Sequence, residues 1–324
     1  MYNMNNYGGD LFTYITRRLI HTIFVIFIIS FISFSLLHFI PGDPALTMLG
    51  PDATNEQIEA LRKELWLDRP LHVQYAHWLT KVIQGDFGKS ITYYENVTSV
   101  ILRSLPISLY LGIIALGFSA IFGISMGIIC AIRRATFLDN LISTFSNLGI
   151  AIPIFWLGLL GIYLFGYKLG WLPIQGFIWP SEGFGQSFLY SIMPIVCLGL
   201  PSLAILARQT RSSMLEVIQQ DYIRTAKAKG LREHTIILRH ALKNALIPIV
   251  TLIGVLARIL IGGSVLVETV FNIPGLGKLL VNAAINKDFI IVQAGVLIIS
   301  AITCFVNLVV DISYGWIDPR TRYE

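Results

Sequence analysis

Six stretches of this chain are apolar for long enough to cross a bilayer: residues 19–40, 105–132, 141–167, 189–207, 246–267 and 289–310. All but one lack Asp, Glu, Lys and Arg; the exception, 246–267, carries Arg258. A helix needs about 20 residues to span roughly 30 Å of hydrocarbon. None of these runs alternates with the two-residue period of a strand. Only helices and closed barrels satisfy their backbone groups in lipid. The pattern therefore predicts an all-α membrane protein with six transmembrane helices, at 19–40, 105–132, 141–169, 189–207, 246–267 and 289–312. Residues 41–104 form a segment too large for a mere connector.

Composition agrees with this. Of 324 residues, 55% are hydrophobic and 13% charged, about half the charged share of a soluble domain. The placement of Lys and Arg then orients the chain. Fourteen fall on one side: Arg17 and Arg18, Arg133 and Arg134, eight in the 208–245 loop, and Arg320 and Arg322. The connections between the third and fourth and the fifth and sixth spans hold only Lys168, Lys278 and Lys287. Both termini (residues 1–18 and the tail) and the 208–245 loop are thus expected in the cytoplasm, with 41–104 outside. The net charge of +5 reflects that asymmetry and implies no nucleic acid. The first span is too long for a cleaved signal's apolar region and lacks a clear A-x-A site, so it reads as an anchor.

Local signals refine the picture. GDFGKS (85–90) resembles the end of a phosphate-binding loop, G-x-x-x-x-G-K-[ST]. Counting back from Gly88 meets Ile83 where the first glycine belongs, and an amphipathic helix precedes the motif where a strand should stand. The stretch reads as a turn on the outer side, where ATP is absent. Thr54 and Gln57 have the spacing of a capping box, and Pro70 suits the start of a second helix ending near Gly85. Gly123 and Gly127 form a small-xxx-small pair for close helix approach. Pro153, Pro194 and Pro201 predict kinks. Cys130, Cys197 and Cys304 lack metal spacing and read as small apolar packing residues; His21 and His38 read as interfacial.

The 208–245 loop holds the most information. Asp221–Lys229 reads as a short helix with its acid near the start and Lys227 and Lys229 near the end, as the helix dipole favours. Gly230 is placed to stop it. Ala226, Ala228 and Gly230 are small enough to admit another protein surface. A basic flank of this kind also serves as a simple membrane anchor.

YIRTAKAKG (222–230) with RHALKNALIP (239–248) resembles the coupling loop of ABC-importer permeases, most closely the dipeptide, oligopeptide and nickel branch. PGDP (41–44), LDRPL (67–71), GDFGKS, ETVFNIPGLG (268–277), NLVVD (307–311) and DPR (318–320) match that branch's first permease subunit. The chain departs from the general E-A-A-x-x-x-G pattern: Arg224 and Thr225 stand before Ala226, and His240–Lys243 replaces the later I-x-L-P. Both departures are usual in the peptide branch. The resemblance implies the type I ABC-importer permease fold, with residues 105–324 as its core. It also implies a non-catalytic subunit beside a homologous second permease, with an extracytoplasmic binding protein delivering substrate. Two cytoplasmic ATPase subunits would hold ATP and Mg, and this chain no cofactor. Asp221, Tyr222, Arg224, Thr225, Ala226, Lys227, Ala228, Lys229 and Gly230 would dock on one ATPase.

Two further residues invite a role in the translocation path. Arg258 lies mid-span, where an arginine costs about 2.5–3.5 kcal/mol on the translocon scale. It faces either the path, meeting a substrate carboxylate, or a structural partner in the second permease. Glu268 ends the fifth span, and either gates the outer side or shapes the following turn. Asp311 reads as an anchor for the basic loop. A nickel importer of the same branch and a stand-alone channel or secondary transporter are the competing functions. No Ser, Cys or carboxylate constellation suggests hydrolysis.

Overall fold

A computed structural model describes residues 7–39 and 42–317 of the chain. Pro41, the DPR motif at 318–320, Arg320 and Arg322 lie outside the described residues. The described chain is helical apart from turns and one isolated bridge between Lys89 and Asn96. The helices are α1 (Tyr7–Ser35), α2 (Pro44–Leu49), α3 (Asn55–Glu64), α4 (Leu71–Ile83), α5 (Val97–Ile132), α6 (Phe137–Ala151), α7 (Ile154–Gly161), α8 (Phe184–Ile218), α9 (Asp221–Ala228), α10 (Glu233–Thr235), α11 (Leu242–Val270), α12 (Leu276–Ile285) and α13 (Phe289–Ile317). Five of these are long and apolar enough to cross a membrane, and α6 with α7 makes a sixth, bent span. The contacts divide the chain into two units, Met1–Ser108 with Pro274–Leu308, and Leu109–Ile273 with Val309–Glu324.

The first unit gathers the segment after α1 against α12 and the start of α13. Asp43 caps α2 by accepting from the Ala45 N–H at 3.1 Å, with Pro44 at the first helical position. The capping box is present in α3: the Gln57 N–H donates to Thr54 Oγ1, and the Thr54 N–H donates to Gln57 Oε1. α4 lies along α1 through Tyr75, whose ring meets Phe27, Phe31 and Phe34 edge-on and whose hydroxyl hydrogen-bonds Ser30 at 2.8 Å. His38 is tied to Gln74 at 2.9 Å. Leu37, Met48, Leu61, Ile101, Leu279 and Ile291 share one buried core.

GDFGKS is a turn within this unit. Gly85 and Gly88 take left-handed φ of 82° and 86°, which a Cβ would disfavour. Ser90 is buried and donates to Asp288 Oδ2 at 2.5 Å, and the Thr92 N–H donates to the same oxygen at 3.0 Å. Ser90 is thus a structural clamp on Asp288.

The observed helices depart most from the predicted spans in the second, third and fourth of them. The third span is not one rod: α6 and the α7 helix, which continues as a π turn to Lys168, meet at 104°. Pro153 disfavours helical geometry at the preceding residue, and Ile152 is extended (φ −79°, ψ 126°). The helix of the second span begins at Val97, before the apolar run, and carries Pro106 inside it. The fourth runs on to Ile218, eleven residues past its predicted end at 207, and passes through Pro194 and Pro201 without a break. Propensity and packing extend these helices where lipid alone does not require them.

Gly123 and Gly127 face α8 at backbone distance. A Cβ on Gly127 would stand 2.5 Å from Thr210 Cβ and 2.6 Å from the Ala207 carbonyl. Gly254 of α11 packs against Val310 in the same way.

Gly127→Ala should lower the melting temperature of the detergent-solubilised protein, overpacking typically costing about 1–3 kcal/mol. Gly117→Ala should not, since nothing lies within 4 Å of that position. Ser90→Ala removes a hydrogen bond to a carboxylate, worth about 1.5–3 kcal/mol. Limited proteolysis should then cut the 85–95 turn faster.

Candidate functional site

The basic loop is built on an extended α8. Arg208 and Arg211 belong to that helix, and only residues 219–220 separate it from α9. α9 is amphipathic on a very small scale. Ile223 and Ala226, three residues apart, are buried, while Asp221, Tyr222, Arg224, Thr225, Lys227 and Ala228 are exposed. The buried pair packs into one cluster with Met214 of α8, Ala131 at the end of α5, and Ile236, Ala241 and Ala245 ahead of and within α11. Ile236 and Ala241 are five apart, a step that suits the π turn Ile236–Ala241 and keeps both on the cluster.

Polar contacts fix the helix ends. Asn244 Nδ2 donates to the Tyr222 hydroxyl at 2.7 Å, bracing α9 on α11. Thr225 Oγ1 donates to the Asp221 carbonyl at 3.0 Å. Arg224 and Asp221 pair at 3.3 Å, both widely exposed, so that pair adds little. At the other end the Gly230 N–H donates to the Lys227 carbonyl and the Leu231 N–H to the Ala226 carbonyl. With Gly230 at φ 74° this is a Schellman stop. No atom would crowd a Cβ there, so the glycine is required by its backbone angle alone. Lys229 is exposed beside it.

Ala226 is the residue whose position differs from the sequence reading. Its smallness lets α9 sit close to its own chain, not to another protein. Ile223, Met214 and Asn244, which sequence reasoning passed over, hold the helix. Their signal was available: Ile223 is the lone large aliphatic residue of α9, three positions before Ala226.

An ion pair strengthens the same end of the unit. Asp139, buried in the first turn of α6, accepts from Arg211 Nε at 2.7 Å and Nη2 at 2.8 Å, and from the Ala135 N–H at 3.0 Å. Asp139 is the sole acidic residue between Glu95 and Glu182, a mark that charge counting alone does not weigh.

Arg258 and Glu268 both lie on α11. Arg258 is half-buried and Glu268 fully buried. Ten residues separate them, about 15 Å along the axis, so the helix does not bring them into one site. Asp311 is half-buried on α13, which continues past it to Ile317. Among the described residues no group of three His, Cys, Asp or Glu is arranged to hold a metal. What the geometry offers is mechanical: an exposed polar helix joined by an apolar cluster to the ends of three long helices.

Comparison with known proteins places this arrangement. Residues 123–323 match the model of the "Binding-protein-dependent transport system inner membrane component" family, and residues 11–112 match that of its N-terminal region. The chain is 42% identical to the "Probable peptide ABC transporter permease protein y4tP" of Sinorhizobium fredii, over 96% of this chain and 99% of that one. It is 40% identical to the "Glutathione transport system permease protein GsiC" of Escherichia coli, over 97% and 100%. A solved structure of the MetNI methionine ABC transporter, inward-facing, shares the fold: TM-score 0.53 at 18% identity, over 67% of this chain and 96% of that one. The two relatives match nearly end to end, and the chain belongs to the family of inner-membrane permease components of binding-protein-dependent ABC transport systems.

Proposed function

We propose that this chain is one of two homologous permease subunits in an ATP-driven importer of short peptides, and that α9 is the surface through which an ATPase subunit drives it. One observation carries the reading: α9 presents a polar face while Ile223 and Ala226 tie its other face to α5, α8 and α11. A push on α9 therefore moves helix ends together. The substrate class follows from the relatives, whose names specify peptide and glutathione transport.

In this mechanism two cytoplasmic ATPase subunits bind ATP and Mg, and a soluble binding protein delivers peptide on the opposite side. The Lys and Arg excess near α9 supports a cytoplasmic position for it and for both termini. Closure of the ATPases favours one permease conformation by differential contact with α9, as any coupling between two sites requires. α8 and α11 then tilt with α9, because a helix in lipid keeps its backbone bonds and moves as a rod. The cavity between the two permeases opens alternately to each side. Arg258 faces that path and meets the peptide carboxylate.

Arg224→Glu with Lys227→Glu reverses two charges on the exposed face. Peptide-stimulated ATP hydrolysis by the reconstituted complex should fall about tenfold or more, the equivalent of at least one charge-assisted contact, while the permease stays folded. Full stimulation would refute docking through this face. Ala226→Asp acts differently: it buries a carboxylate in the cluster, and trypsin should then cut the loop at Arg224, Lys227 or Lys229 in the isolated permease. Arg258→Ala should raise KM for free peptide in a binding-protein-independent assay but leave basal ATP hydrolysis unchanged; normal uptake would remove Arg258 from the path.

A further inference from the structure

A second polar site is a cavity of about 210 Å³ between the end of α5, α6 and α8. Arg208, Arg211, Ser143, Ser146, Asn147 and Cys130 line it. A single water needs only roughly 10–15 Å³ of such space, so the cavity is large enough for a small polar group. Its chemistry is one-sided. Asp139 is already filled: its oxygens accept from Arg211 Nε and Nη2, the Ala135 N–H and Ser143 Oγ. The Arg211 charge is thereby balanced, yet its Nη1 amine is not engaged by Asp139. Arg208, exposed at the cavity's edge and in no ion pair among the described residues, adds a second guanidinium. Ser146 is 6% exposed, and its hydroxyl is sealed from solvent with no hydrogen-bond partner. Asn147 adds an amide.

These groups are chiefly donors, and they carry one net positive charge. A buried hydroxyl without a partner costs about 1–3 kcal/mol, which a multivalent acceptor in the cavity would relieve. Guanidinium forks match the oxygens of a phosphate group. A carboxylate offers two oxygens in one plane, whereas donors here come from two different helices. Basic pockets between membrane helices on the cytoplasmic side suit phospholipid head groups. The geometry points to a site for a phosphate group, of a lipid head group or of free phosphate, held by Arg208, Ser146 and the outer edge of Arg211. Arg211 lies one helical turn before Met214, which receives α9, so an occupant would stiffen the helix that α9 leans on.

The purified complex, extracted in mild detergent, supplies the test. Native mass spectrometry reads retained phospholipid, and equilibrium dialysis with radiolabelled inorganic phosphate reads the soluble alternative. Arg208→Gln and Ser146→Ala should weaken occupancy, the first by about tenfold for one charge-assisted bond. Arg208→Lys should keep part of it. Retention of lipid alone assigns the phosphate to the membrane; binding of inorganic phosphate alone assigns it to solution. Equal occupancy in wild type, Arg208→Gln and Ser146→Ala overturns the site.

Discussion

α5 and α8 run backbone to backbone, and much of the second unit follows from that approach. Apolar surface gives helices no reason to associate in lipid, so close packing and interhelical hydrogen bonds must do it. Gly123 and Gly127 remove the side chains that would hold α5 away from the Leu203 and Ala207 carbonyls. Gly199 returns the favour from α8, where a Cβ would meet the Ala115 carbonyl at 3.0 Å. Ser119 then reaches across, donating to the Gly199 carbonyl at 2.7 Å. With the two helices this close, the end of α5 brings Ala131 to the cluster that Met214 enters from α8. The surface that receives α9 thus exists because Gly127 and Gly123 stand about one and two turns before Ala131.

The joint between α9 and the long helices is apolar, and that suits a part that transmits force. A surface ion pair such as Arg224 with Asp221 yields easily to water and salt. A cluster of seven buried residues from several helices does not, because interiors are close-packed and deform little. Polar contacts serve a different purpose here. Asn244 fixes the azimuth of α9 through Tyr222, and Arg211 locks α8 to the start of α6 through two parallel bonds. α6 in turn ends at the 104° bend, so the third span cannot pass a displacement straight through the bilayer as a single rod would.

Long apolar runs were legible in the sequence because lipid imposes their length. The caps were legible too: Thr54 with Gln57, and Gly230, name local geometry that needs no tertiary partner. What the sequence withheld were features decided by contact between distant residues. Pro153 announced a disturbance, but its size depends on what α6 and α7 pack against. The extension of α8 to Ile218 needs Met214 to be buried against α9, which no hydropathy profile reveals. Ala226 looked like room for another protein because an exposed alanine and a buried one are spelled alike; only Ile223 beside it tells which face turns inward. GDFGKS was legible as a turn, but not the anchor of that turn, since Ser90 finds Asp288 nearly two hundred positions away.

Asp139 and Asp288 are both buried and share a local arrangement. Each sits at the start of a helix, where the dipole favours a negative charge. Each follows a non-glycine residue in the left-handed region, Ala135 at φ 61° and Lys287 at φ 60°. Such turns cost energy and hold only when the surroundings over-determine them. The acid supplies the determination: Asp139 accepts from the Ala135 N–H itself, and Asp288 donates its own N–H to the Ala283 carbonyl while its side chain binds Ser90 and Thr92. Asp139 then takes Arg211, and Asp288 takes Ser90 and Thr92, so each acid that holds a local turn also sets where a distant segment docks. An asparagine could close either turn but would bind a guanidinium only weakly. At Asp139, where the partner is Arg211, the negative charge is therefore required; at Asp288, where the partners are a hydroxyl and an N–H, geometry alone makes the larger demand.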